Sequence, residues 1–144
     1  MDNLYLLIEV GGQRAALPGN VVESVVEIDD VTPVPCLPPH VLGLFALRSR
    51  VLTVIDSIAS LGLGQHERNG DIQAVIVTVE GHLYGLLVDQ VEDVVAIEGE
   101  PAPPRALLAP GWARMTDGVL EHEGQPLLLI NVAALIEGPL AIAA

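Results

Sequence analysis

The chain has 144 residues, 51% hydrophobic and 17% charged, which fits a globular protein and excludes a disordered tail or a collagen-like repeat. Its six arginines, absence of lysine and 19 acids give a net charge of −13, which would repel phosphate backbones and anionic lipid, so nucleic acid is excluded as a partner. With no apolar run reaching the roughly eighteen residues of a membrane span, no signal-peptide layout at the start and a single cysteine, the sequence predicts a cytoplasmic protein without membrane insertion, one domain over 1–144.

Residues 4–10 and 14–17 are branched apolar runs flanking Gly11-Gly12-Gln13, a hairpin by its turn chemistry. The next run, 21–28, is strongly apolar and carries Glu27 near its end. Pro33, Pro35, Pro38 and Pro39 would break a central ladder and predict an extended crossing between half-structures. Cys36, set among them, reads as a small apolar filler. Residues 41–47 lead to Arg48, a candidate partner for Glu27 at a buried or groove-edge pair. The polar stretch 64–71 predicts a mobile loop. Residues 72–80 and 82–88 flank Gly81, and 115–122 and 126–130 flank Glu123-Gly124-Gln125, giving two further hairpins. Pro101, Pro103 and Pro104 mark a second crossing, and 131–137 is the best helix candidate.

A weak internal repeat links these runs: Ala16-Leu17-Pro18-Gly19-Asn20, Leu52-Thr53-Val54-Ile55-Asp56, Leu86-Leu87-Val88-Asp89 and Leu127-Leu128-Leu129-Ile130-Asn131. Each ends in Asp or Asn. Apolar residues follow near offsets two and five, as in Val22/Val25, Ile58/Leu61, Val91/Val94 and Ala133/Ile136, a pattern that predicts four capped helical turns. The unequal spacing predicts two related half-structures rather than a solenoid. The class is all-β with a few short helices. Mean hydropathy of +0.51 with four aromatics predicts aliphatic side chains left at the surface for a protein partner.

Chemistry is sparse. Histidines 40, 66, 82 and 122 lack short ligand spacing, so no metal site is expected. Gly62-Leu63-Gly64 is not completed as a dinucleotide turn, and a lysine-free chain has no phosphate-binding loop lysine; no cofactor is expected. Asp56 and Asp89 each end an apolar strand and could form a hydrolytic carboxylate dyad, but Ile58 and Val91 stand where the tight turn of an acid protease wants glycine, and capping is the better reading. A free-standing SH3-like module that binds short peptides is a third possibility.

Several segments in order resemble the CheW-type coupling domain of bacterial chemotaxis signalling over 4–136. They are Val25-Val26-Glu27-Ile28, Thr32-Pro33-Val34-Pro35-Cys36-Leu37-Pro38, Val41-Leu42-Gly43-Leu44 through Leu47-Arg48, Val54-Ile55-Asp56 with Leu61-Gly62, Gly85-Leu86-Leu87-Val88-Asp89 to Val94, and Leu127 to Asn131. The resemblance implies two intertwined SH3-like five-stranded β-barrel subdomains sharing a core, and an adaptor without catalysis or cofactor. It implies a chemoreceptor cytoplasmic hairpin tip in a groove lined or supported by Val25, Glu27, Ile28, Arg48, Gly85, Val91 and Val94. It also implies the regulatory domain of a CheA-type histidine kinase on the side of Gly43 and Leu44. Two segments depart from the family: Ala46-Leu47-Arg48-Ser49 stands where Asn-Leu-Arg-Gly is usual, and Ser57-Ile58-Ala59-Ser60 where an Arg-bearing helix is usual.

Overall fold

The computed structural model describes residues 4–28, 31–34, 37–62, 72–103 and 110–138. Cys36, Pro35, Pro104, His66 and the polar stretch 64–71 lie outside the described residues. Three tight turns carry positive φ at both central residues: Gly11 and Gly12 (60° and 81°), Glu80 and Gly81 (51° and 79°), Glu123 and Gly124 (52° and 78°). That geometry matches the twist of the strands it joins. The hairpins are β1 (Leu4–Val10) with β2 (Gln13–Pro18), β6 (Ile72–Val79) with β7 (His82–Leu87), and β9 (Thr116–His122) with β10 (Gln125–Ile130). A fourth hairpin, β4 (Val41–Leu47) with β5 (Arg50–Asp56), turns through Arg48 at φ 58°.

The remaining strands are β3 (Val22–Ile28) and β8 (Gln90–Ala96); the helices are α1 (Ser57–Ser60), α2 (Pro110–Met115) and α3 (Val132–Glu137). Two five-stranded mixed sheets result, ordered β8-β1-β2-β10-β9 and β3-β6-β7-β5-β4. The four repeat segments become β2, β5, β7 and β10. These are the central strands, joined by the parallel pairs β2/β10 and β5/β7. The half-structures are therefore interleaved: β3 follows β2 in the chain but pairs with β6, and β8 follows β7 but pairs with β1.

Two of the four predicted helical turns form. The Asp56 carboxylate accepts from Ile58 N and Ala59 N at the start of α1, and Asn131 Oδ1 accepts from Ala134 N at the start of α3. After Asn20 and Asp89 the chain instead enters β3 and β8, because valine-rich runs prefer a pleated strand to a helical turn. Helix α2 opens on a proline, which suits the first helical position.

Closed barrels are not what the sheets form. Among the described residues, β8 and β9 are free ends of one ladder and β3 and β4 of the other. The proline segments take the place a closing strand would occupy. Thr32 N–H donates to Leu44 O at 2.8 Å and Leu44 N–H to Thr32 O at 2.9 Å, while Ala102 and Val119 exchange the same pair at 2.9 and 2.7 Å. Both crossings thus cover the outer edges of β4 and β9, which leaves β3 and β8 as the uncovered ones.

Side chains alternate between two interiors on each sheet. Leu6, Ile8, Ala15, Leu17, Leu128 and Ile130 of the first sheet meet Ile55, Val75, Val77 and Leu86 of the second in a shared core closed by Trp112, Met115 and Leu135. The opposite faces fold over smaller clusters, Tyr5, Leu7, Ala16, Leu127 and Leu129 in one sheet and Ile28, Leu52, Val54, Ala74 and Ile76 in the other. Burial on both faces explains why the central strands read as unbroken apolar runs. No helix among the described residues is long and apolar enough to cross a membrane.

Candidate functional site

Register decides which side chains of the uncovered edges face the space between the sheets. Residues directly opposite each other in a ladder share a face. Val94 lies opposite Leu6 and Val91 opposite Ile8, and both partners belong to the shared core. Val25 lies opposite Val75, also a shared-core residue, and Glu27 opposite Gln73 two positions before it. Val25, Glu27, Val91 and Val94 therefore project on the inter-sheet side of two free edges. Gln73 of β6, opposite Glu27, links the second sheet to β8, since Val91 N–H donates to its Oε1 at 3.1 Å. Val94 is 62% exposed and Val25 38%, leaving branched aliphatic surface along the seam.

The other groove candidates sit elsewhere. Ile28 is buried opposite Ile72, pointing into the second sheet's own cluster. Gly85 is in the same interior, where an added methyl would lie 2.9 Å from Leu52 Cδ1 and 3.7 Å from Ile28 Cδ1. These two back the edge strand from behind. Arg48 is exposed in the β4–β5 turn. The ion pair reaching β3 is formed by Arg50, whose Nη2 donates to Glu23 Oε1 at 3.0 Å, so the expected Glu27–Arg48 pair is replaced by Glu23–Arg50. The Thr78 hydroxyl, first, and Arg50, second, hold the Glu23 carboxyl below the usual glutamate range. Leu44 is exposed on β4, and Gly43 is buried beneath Thr32 and Pro33.

Asp56 and Asp89 each act as a backbone acceptor. Asp56 caps α1, and Asp89 Oδ2 accepts from Gly11 N at 2.7 Å, bracing the β1–β2 turn. Among the described residues no group of three His, Cys, Asp or Glu is arranged around a metal position. Sequence reasoning missed the Arg14–Glu92 pair at 2.8 Å between β2 and β8, because nothing local relates residues so far apart in the chain.

The family model described as CheW-like domain matches residues 4–139. The probable chemotaxis protein CheW of Rhizobium etli is 30% identical over 138 residues, covering 93% of this chain and 87% of that protein. Chemotaxis protein CheW of Rhizobium meliloti is 29% identical over 128 residues, 88% of this chain and 83% of its own. The crystal structure of scaffolding protein TtCheW from Thermoanaerobacter tengcongensis superposes with a TM-score of 0.81 at 25% identity, over 96% of this chain and 95% of that one. Fold and relatives together define a non-catalytic adaptor, a protein whose surfaces hold other proteins. The chain belongs to the CheW-like domain family.

Proposed function

We propose that this chain works in the cytoplasm as the link between a chemoreceptor and a CheA-type histidine kinase, receiving the receptor's cytoplasmic hairpin tip in the groove between β3 and β8. The observation that carries this reading is the convergence of Val25, Glu27, Val91 and Val94 on the inter-sheet side of two uncovered edges. A helical hairpin presents apolar anchors at i, i+3 and i+4. A seam of small branched side chains can accept these, and Glu27 fixes register. The kinase regulatory domain would meet the β4 side, where Leu44 lies exposed and Val51, opposite Ala46, is exposed on β5. Arg48, in the neighbouring turn, contributes charge at that end. Holding both partners on one body raises their effective concentration and fixes their mutual orientation.

Val94→Asp combined with Val25→Asp tests the groove. Each places a carboxylate where apolar contact is required, so affinity for a purified receptor signalling fragment is expected to fall about tenfold or more. Binding of the kinase regulatory domain and a β-rich circular dichroism spectrum should persist. Unchanged receptor binding would refute the groove. Arg48→Glu serves as the charge-reversal companion and should weaken ternary assembly.

A further inference from the structure

Although neither sheet closes through its backbone, each carries a side-chain bridge from its uncovered edge strand across to a central strand. In the first sheet Arg14 of β2 donates from Nη2 to Glu92 Oε1 on β8 at 2.8 Å and from Nη1 to Gln125 Oε1 on β10 at 2.6 Å. In the second, Arg50 of β5 donates to Glu23 Oε1 on β3 at 3.0 Å, and the Thr78 hydroxyl of β6 donates to the other oxygen of that carboxylate. The two arrangements correspond under the internal repeat. Both have a glutamate near the start of the interleaved strand and an arginine near the start of a central one.

Face and position agree as well. Arg14 shares a strand face with Ala16, and Gln125 with Leu127, both members of the first sheet's own cluster. Arg50 shares a face with Leu52, and Thr78 with Ile76, both in the second sheet's cluster. Each bridge therefore runs from an uncovered edge strand across its sheet's own cluster face to central strands. A strand paired on one side only opens locally at low free energy, and a side-chain tie across that face acts on that opening even though an exposed ion pair adds little to global stability.

We propose that Arg14 and Arg50 are positioning residues that hold β8 and β3 against their sheets and so set the width of the groove between them. This rests on the groove reading given above. The arginines lie on the faces turned away from the groove, so their effect on a partner would be transmitted through the strands and not through contact.

The experiment compares the full chain with an Arg14→Gln/Arg50→Gln variant, and uses Val94→Asp as a control for the groove itself. Amide hydrogen exchange is expected to rise about fivefold or more in β3 and β8 while β6 and β10 keep their protection. Affinity for a chemoreceptor signalling fragment should fall about threefold, as suits loss of exposed ties, with kinase regulatory-domain binding within about twofold of the parent. Unchanged exchange in β3 and β8 would overturn the proposal. So would faster exchange with unchanged receptor affinity, if Val94→Asp still weakens binding; in that case the groove stands and the positioning role fails. If Val94→Asp leaves receptor binding intact, the groove reading fails and takes the positioning role with it.

Discussion

A methyl group on Gly43 would lie 2.1 Å from Thr32 O and 3.0 Å from the Cα of Pro33, on a backbone held at φ +149°. Two constraints therefore meet at one position: a conformation that L side chains rarely adopt and a close crossing of the proline segment over β4. Gly43→Ala is expected to destabilise by about 2 kcal/mol or more, from strain plus loss of the Thr32–Leu44 bonds. Gly85→Ala provides the contrast. Its closest neighbour is the end of the Leu52 side chain at 2.9 Å, which can shift, so the cost should be smaller. Urea unfolding of both variants checks this, and equal losses would show that the crossing over β4 yields as readily as a leucine methyl. Gly43 thus acts through backbone placement, with Leu44 exposed beside it.

At the scale of elements, the caps were legible because they are local. Asp56 accepts two backbone N–H groups at 3.1 and 3.2 Å and Asn131 one at 3.0 Å, and each follows an apolar strand in the linear sequence. Asp56→Ala and Asn131→Ala are each expected to cost about 1 kcal/mol, with Asp56 the more costly because its carboxylate is buried and serves two donors. Thermal unfolding measures the difference, and a larger loss at Asn131 would reverse that ranking. The three glycine-bearing hairpins were legible for the same reason. The β4–β5 hairpin was not, since Arg48-Ser49 carries none of the usual turn residues and pairing of Leu47 with Arg50 alone defines it. The strand assignments of 22–28 and 90–96 were also hidden: Val22/Val25 and Val91/Val94 fit a helical offset, and only pairing with β6 and β1 makes them strands. Barrel closure, implied by resemblance, failed because the edges of β4 and β9 are taken by segments 31–34 and 101–103. Val25, Glu27, Val91 and Val94 share the inter-sheet side through ladder register, which the sequence does not print, and a Glu27–Arg48 pairing likewise depends on a distance that no sequence spacing encodes.

For the whole molecule, interleaving makes the two halves of the chain interdependent. The first sheet takes β1 and β2 from the N-terminal half and β8, β10 and β9 from the C-terminal half; the second takes β3, β5 and β4 from the former and β6 and β7 from the latter. Both parallel pairs, β2/β10 and β5/β7, cross between halves, and the shared core draws on each. An isolated half would hold two-stranded hairpins at most, β1-β2 and β4-β5 or β6-β7 and β9-β10, with apolar faces open to water on both sides. Splitting the chain within 64–71 is therefore expected to give two fragments that are unfolded alone by circular dichroism. Mixed together, they should regain a β-rich spectrum at one-to-one stoichiometry, with a Tm that rises with concentration because association and folding are one equilibrium. A cooperative, concentration-independent transition in either fragment by itself would mean that one sheet can form without the other. The same interdependence serves an adaptor. Strands β3 and β8 belong to different sheets and to different halves of the chain, and relative movement of the two is opposed by the core between the sheets.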